Sequence, residues 1–175
     1  MSKTFTQTIL AALSCIMFVG CIEDPNPTYE QTTRVNIGDF APDFTVETID
    51  NQHITLTSQQ NKIVLITFFS SFCPDCHDQF EYIKNRITTF DPSKFCFLPI
   101  ARNENRSTVE EFRRENGHTF DMGYDPEGKI YALYATRYVP RNYLIDSNRR
   151  VIAISAEPTP AQLDALLARI TELTK

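Results

Sequence analysis

The sequence predicts an α/β fold in which a mixed β-sheet is flanked by helices. Two observations carry this. Ile63 to Phe69 is a continuous apolar, β-branched run that suits a central strand buried on both faces, and strand-like and helical segments alternate from Gly38 to the C-terminus. Phe44, Val46 and the stretch His53 to Leu56 read as an N-terminal β-hairpin around Asp50-Asn51-Gln52. After the Ile63–Phe69 strand, Pro74 stands where a helix would begin, and Cys76, Phe80, Ile83 and Ile87 share one helical face. Phe95 to Ile100 reads as a second buried strand. Ser107-Thr108-Val109-Glu110 has the form of a capping box opening a helix that stops at Asn116-Gly117, and His118 falls in the loop beyond. A short helix is expected over Lys129 to Thr136, then strands over Tyr143–Asp146 and Val151–Ser155. Thr159-Pro160 caps a last helix with Leu163, Leu166, Leu167, Ile170 and Leu173 turned inward.

Composition narrows the function classes. With 175 residues and 42% hydrophobic content the chain can bury a core without disulfide staples or metal. Seventeen Lys and Arg against 22 Asp and Glu give a charge of −5, and no segment gathers basic residues into a patch. Nucleic acid is therefore not an expected partner.

Residues 1–20 do not belong to the domain. Lys3 is their only charge, and Ile9 to Gly20 is an apolar run of signal-peptide length, too short to span a bilayer comfortably. Phe18-Val19-Gly20-Cys21 resembles the lipobox of bacterial lipoproteins, with Phe18 where Leu is usual. That resemblance implies cleavage before Cys21, a lipid on its sulfur, and a place in the bacterial cell envelope anchored to a membrane. Residues 21–36, with Pro25 and Pro27 and no hydrophobic period, are expected to form a flexible tether. A coil of about fifteen residues reaches on the order of 20 Å. The domain would then be 37–175. Export permits disulfide chemistry, and Cys73, Cys76 and Cys96 are the thiols that remain for it.

The chemistry gathers at Cys73-Pro74-Asp75-Cys76. Two cysteines two residues apart can close a small disulfide. Placing the first at a helix N-cap turns free N–H groups and the positive end of the dipole toward its thiolate. Cys73 is expected to be the exposed nucleophile and Cys76, one turn inside, the resolving thiol. Asp75 opposes a thiolate and a charged His77 would favour it.

With these residues the chain resembles the thioredoxin superfamily, in particular its TlpA/ResA-like and AhpC/TSA-like branch. The resemblance rests on Ile37-Gly38-Asp39-Phe40-Ala41-Pro42-Asp43-Phe44, the Cys73/Cys76 motif, Tyr124-Asp125-Pro126-Glu127-Gly128-Lys129, and Val139-Pro140 before Tyr143-Leu144-Ile145-Asp146. It implies a thioredoxin-like fold with an αβ insertion between the motif and a cis proline at Pro140. It also implies a thiol-disulfide oxidoreductase that exchanges disulfides with protein thiols, works with a membrane redox partner and needs no cofactor or metal. Phe72, Pro74, Asp75, Val139 and Pro140 would line the substrate groove. Three departures stand out: Phe72 replaces the usual Trp, Gln79 stands where the ResA-like subset has a glutamate, and Tyr138 precedes Val139 where Gly is common. Asp78 and Glu81 are the nearby acids that could replace that glutamate.

Other readings of the motif are weaker. A peroxidase of this superfamily would need Pro and Thr where Ile66 and Ser70 stand. Cys73 to His77 has haem-attachment spacing, yet Met122 is the only methionine beyond the leader. Zinc would need Cys96 and a ligand such as His77, His118 or Asp75. A structural disulfide in a non-catalytic binding module is the remaining alternative. Cys96 itself reads as a small core thiol and His53 as a surface residue.

Overall fold

The computed structural model describes residues 26–175, so the leader over 1–20 and Cys21 lie outside the described residues. Seven strands and four helices follow in the order β1 (Thr45–Thr48), β2 (His53–Thr55), β3 (Ile63–Phe69), α1 (Pro74–Ile87), β4 (Phe95–Arg102), α2 (Arg106–Asn116), β5 (Gly123–Asp125), α3 (Lys129–Tyr134), β6 (Arg141–Ile145), β7 (Val151–Ala156) and α4 (Pro160–Leu173). One sheet holds all the strands in the order β2-β1-β5-β4-β3-β6-β7. It is mixed, because β3 and β5 run parallel to β4 whereas β6 runs antiparallel to β3. This is the thioredoxin-like arrangement that the sequence implies.

The apolar run of β3 is explained by what covers it, since all seven of its residues are buried. On one face Leu65 and Phe69 pack with Phe80 and Ile83 of α1 and with Leu163, Leu167 and Ile170 of α4. On the other, Val64, Ile66 and Phe68 pack with Tyr131 and Tyr134 around α3. Two expectations need correction. The cap of α2 is Asn105, whose Oδ1 accepts the Thr108 N–H at 3.1 Å, so the Ser107 capping box does not form. Both residue types cap well, and the backbone entering from β4 makes Asn105 the one in extended conformation. The second concerns the tether.

Residues 27–36 are not a free tether. Thr32 and Val35 are buried, a short 3-10 turn spans Glu30–Thr32, and Arg34 N–H donates to the Tyr134 carbonyl at 2.9 Å. The segment carries Tyr29, Thr32 and Val35 against the sheet face of Tyr143, which its lack of hydrophobic period concealed.

His118 lies in the expected loop but is buried, stacked on Phe120 at 5.1 Å and set among Phe80 and Phe112. Neither ring nitrogen has a hydrogen-bond partner among the described residues. Burial lowers its pKa; Glu81 opposes that shift, and Lys84 and His77 add to it. The unfolded chain, with an ordinary imidazole near 6.5, therefore takes up a proton that the folded one resists. Stability contributed at this position is complete above about pH 6.5 and is lost as the pH falls below it. In His118→Phe, urea midpoints measured at neutral and mildly acidic pH should differ less than they do in the parent. An unchanged pH slope would show that the ring is solvated.

Candidate active site

The end of β3 delivers the chain through Ser70, Ser71 and Phe72 to Cys73, which caps α1 with an extended backbone (φ −94°, ψ 114°) before Pro74. A proline is tolerated there because the first helical N–H has no intrahelical acceptor. Cys73 is half-buried, and its thiol donates to the Val139 carbonyl at 3.4 Å. Cys76 is fully buried one turn along. Both are free thiols. Burial pushes the Cys76 thiol far up, the adjacent Cys73 thiol adds to the effect, and a hydrogen bond from the Ser70 backbone opposes it. The Val139-Pro140 bond is cis, as the resemblance implied.

Of the residues expected to line a groove, Asp75 and Pro140 share one and Val139 meets Cys73 through its carbonyl. Phe72 is 81% exposed and offers an apolar ring beside Cys73, and Pro74 is also exposed. Asp75 and Pro140 line a groove of about 350 Å³ together with Asp78, Gln79, Tyr82 and the Glu157–Pro160 turn. Tyr138 adopts a left-handed backbone (φ 71°), a conformation that glycine takes without strain and a tyrosine does not. Its hydroxyl donates to the Pro27 carbonyl, so the ring turns toward the N-terminal segment.

His77 does not face the sulfurs through its polar atoms. Its Nε2 lies 2.7 Å from the Ser71 carbonyl and its Nδ1 3.3 Å from Asn116 Oδ1, which ties α1 to the loop before it and to α2. Cys96 is on the opposite sheet face from Cys73, among the residues packed with Val64 and Ile66, and cannot join the pair. Burial raises its thiol pKa.

Several site residues were not identified from the sequence. Asp78 and Glu81 are both exposed and do not replace the missing glutamate. Instead the buried Gln79 exchanges two hydrogen bonds with Asn142 of β6, whose Oδ1 also accepts from Thr67 at 2.7 Å and whose Nδ2 donates to Ser155. Four neutral polar side chains thus occupy the space beneath the first turns of α1. An acid does reach the loop from elsewhere. The buried Glu104 accepts from Ser70 Oγ at 2.6 Å and from the Ser71 N–H at 2.9 Å, while its second oxygen has no partner among the described residues. In the sequence it is one acid ahead of a helix cap, indistinguishable from a solvated one.

The AhpC/TSA family model matches residues 37–154, beginning at the Ile37-Gly38-Asp39-Phe40 segment and running past the cysteines and Pro140. The chain belongs to the AhpC/TSA family. Among its relatives, the thiol-disulfide oxidoreductase ResA of Bacillus thuringiensis is 26% identical over 139 residues, covering 79% of this chain and 80% of its own. A Bacteroides thetaiotaomicron protein provisionally described as a protein disulfide isomerase superposes with a TM-score of 0.78 at 29% identity, over 82% of this chain and 92% of its own. A secreted disulfide oxidoreductase of Mycobacterium tuberculosis, homologous to DsbE, has a TM-score of 0.63 at 22% identity, over 74% of this chain and 96% of its own. At that identity the likeness speaks to the AhpC/TSA member's fold alone.

Proposed function

We propose that this protein exchanges a Cys73–Cys76 disulfide or dithiol with protein substrates in the bacterial cell envelope, held to a membrane by a lipid on Cys21. It is a thiol-disulfide oxidoreductase of the ResA type. The observation that carries the site assignment is the asymmetry of the two sulfurs, one half-exposed at a helix N-cap beside the groove and the other buried one turn inside. In the reducing direction the Cys73 thiolate attacks a substrate sulfur, a mixed disulfide forms, and the other substrate sulfur leaves as a thiolate. Cys76 loses its proton and attacks Cys73 Sγ, which releases the second substrate sulfur and leaves Cys73–Cys76 oxidised by two electrons. The departing substrate thiolate takes that proton, which balances the step. Run backwards, the same steps oxidise a substrate dithiol. The groove beside Pro140 gives an extended peptide room to lie along α1.

Lipid attachment is supported by Gly20-Cys21 at the end of an apolar run, and a membrane redox partner would restore the pair after each turnover. Equilibration in graded glutathione buffers, followed by alkylation and mass measurement, tests the redox assignment. One reversible two-electron transition confined to Cys73 and Cys76 is expected, and its potential decides the direction of electron flow. The absence of any reversible couple would leave a non-catalytic module.

A further inference from the structure

Arg141 directly follows Pro140 and is fully buried, yet among the described residues its hydrogen bonds run to neutral oxygens. Nη1 donates to the Thr32 carbonyl at 3.3 Å and to Thr33 Oγ1 at 3.4 Å. Nη2 donates to the Tyr29 carbonyl at 3.3 Å and to Thr32 Oγ1 at 2.9 Å. The guanidinium carbon lies 4.3 Å from the centroid of the Tyr29 ring. All of these partners come from the segment that the sequence suggested would be free. A cation removed from water without a counter-ion is costly, and so is the Arg141 Nε, which has no partner among the described residues. The segment offsets part of that cost only while it stays docked.

The same segment grips the other side of the loop. Tyr138 donates its hydroxyl to the Pro27 carbonyl at 2.6 Å, and the Thr136 N–H donates to the Thr32 carbonyl at 2.9 Å. Arg141 and Tyr138 thus flank Val139-Pro140, and both are held by residues 27–33. Between them the Val139 carbonyl receives the Cys73 thiol.

We propose that Arg141 is a positioning residue for the reaction at Cys73. It clasps the N-terminal segment to the back of the Val139-Pro140 loop and thereby sets the Val139 carbonyl and the groove wall relative to the attacking sulfur. This rests on the assignment of Cys73 as the reacting sulfur. Lysine cannot substitute, because one ammonium cannot span acceptors on Tyr29, Thr32 and Thr33 as a planar fork does.

The test compares the parent with Arg141→Met, Arg141→Lys and the double variant Tyr29→Leu/Thr32→Val, using reduction of insulin disulfides and the potential of the Cys73–Cys76 pair. In Arg141→Met and in the double variant, kcat should fall roughly tenfold or more, since small misplacements of reacting groups carry penalties of this size. The potential should also move from the parental value, and Arg141→Lys should not restore either quantity. A merely structural arginine would lower the melting temperature and leave kcat and potential as they were. Cooperatively folded Arg141→Met with parental kcat and potential overturns the proposal. If Arg141→Met does not fold, the double variant decides by the same criteria. Cys73→Ser is the control: loss of insulin reduction there, with Arg141→Met unaffected, overturns the clasp alone. Insulin reduction that survives Cys73→Ser removes the assignment of Cys73 and the clasp with it.

Discussion

A Cys76→Ser variant should accumulate substrate proteins as mixed disulfides on Cys73, whereas Cys73→Ser should trap almost none. The difference follows from where the two sulfurs lie. Cys76 has no exposed surface, and burial raises its thiol pKa far above the ordinary range, so it is both shielded and protonated at neutral pH. Cys73 is half-exposed at the helix N-cap, next in sequence to the exposed Phe72, so it is the sulfur of the pair that a substrate can reach. A serine at 76 cannot attack the mixed disulfide, so the intermediate persists. Cys96→Ser should behave as the parent, because that thiol sits on the opposite face of the sheet. Non-reducing gels of tagged variants read the result. Equal trapping by both motif variants, or trapping that depends on Cys96, would mean that the roles are divided otherwise.

Phe80→Ala should lose about 4 kcal/mol of stability, as a fully buried phenylalanine replaced by alanine does when its surroundings cannot collapse. The ring is fully buried, 4.9 Å from Phe69 of β3 and within 6.4 Å of Phe97, Phe112, His118 and Phe120. Phe69, Phe97 and Phe112 lie on β3, β4 and α2, which other contacts hold in place, so the loop side chains His118 and Phe120 can close only part of the space. Because Phe80 lies one turn beyond Cys76, the variant should also loosen the helix that carries both cysteines. Phe72→Ala provides the contrast: its ring is 81% exposed, and the change should stay within about 0.5 kcal/mol. Urea unfolding with a shared slope checks both. A loss below about 1 kcal/mol for Phe80→Ala would show that α1 is held to the sheet by other residues.

Residues close in sequence were read correctly where their own sterics and period decide the outcome. The seven apolar residues of β3 can be satisfied only between two covered faces, Pro74 with the Cys76–Phe80–Ile83–Ile87 spacing describes one helix, and Gly117 ends α2 with a left-handed backbone (φ 62°). The pair Cys73 and Cys76 was legible for the same reason, since both sulfurs lie within one turn. The three-residue strand β5 was not, because it exists through its pairing with β1 and β4. There Gly123 packs so closely on Val46 that a Cβ would come within 2.7 Å of it.

By itself, then, the sequence determined the layered α/β order, the helix that presents the two thiols, and which of the two stands first. Only the tertiary structure decided what surrounds them. Glu104 meets Ser70 across 34 positions, Gln79 meets Asn142 across 63, and Arg141 meets Thr32 across 109. A polar side chain reads alike in sequence whether water or a distant backbone satisfies it. Its role is set by which remote segment covers it, and that depends on the closed fold.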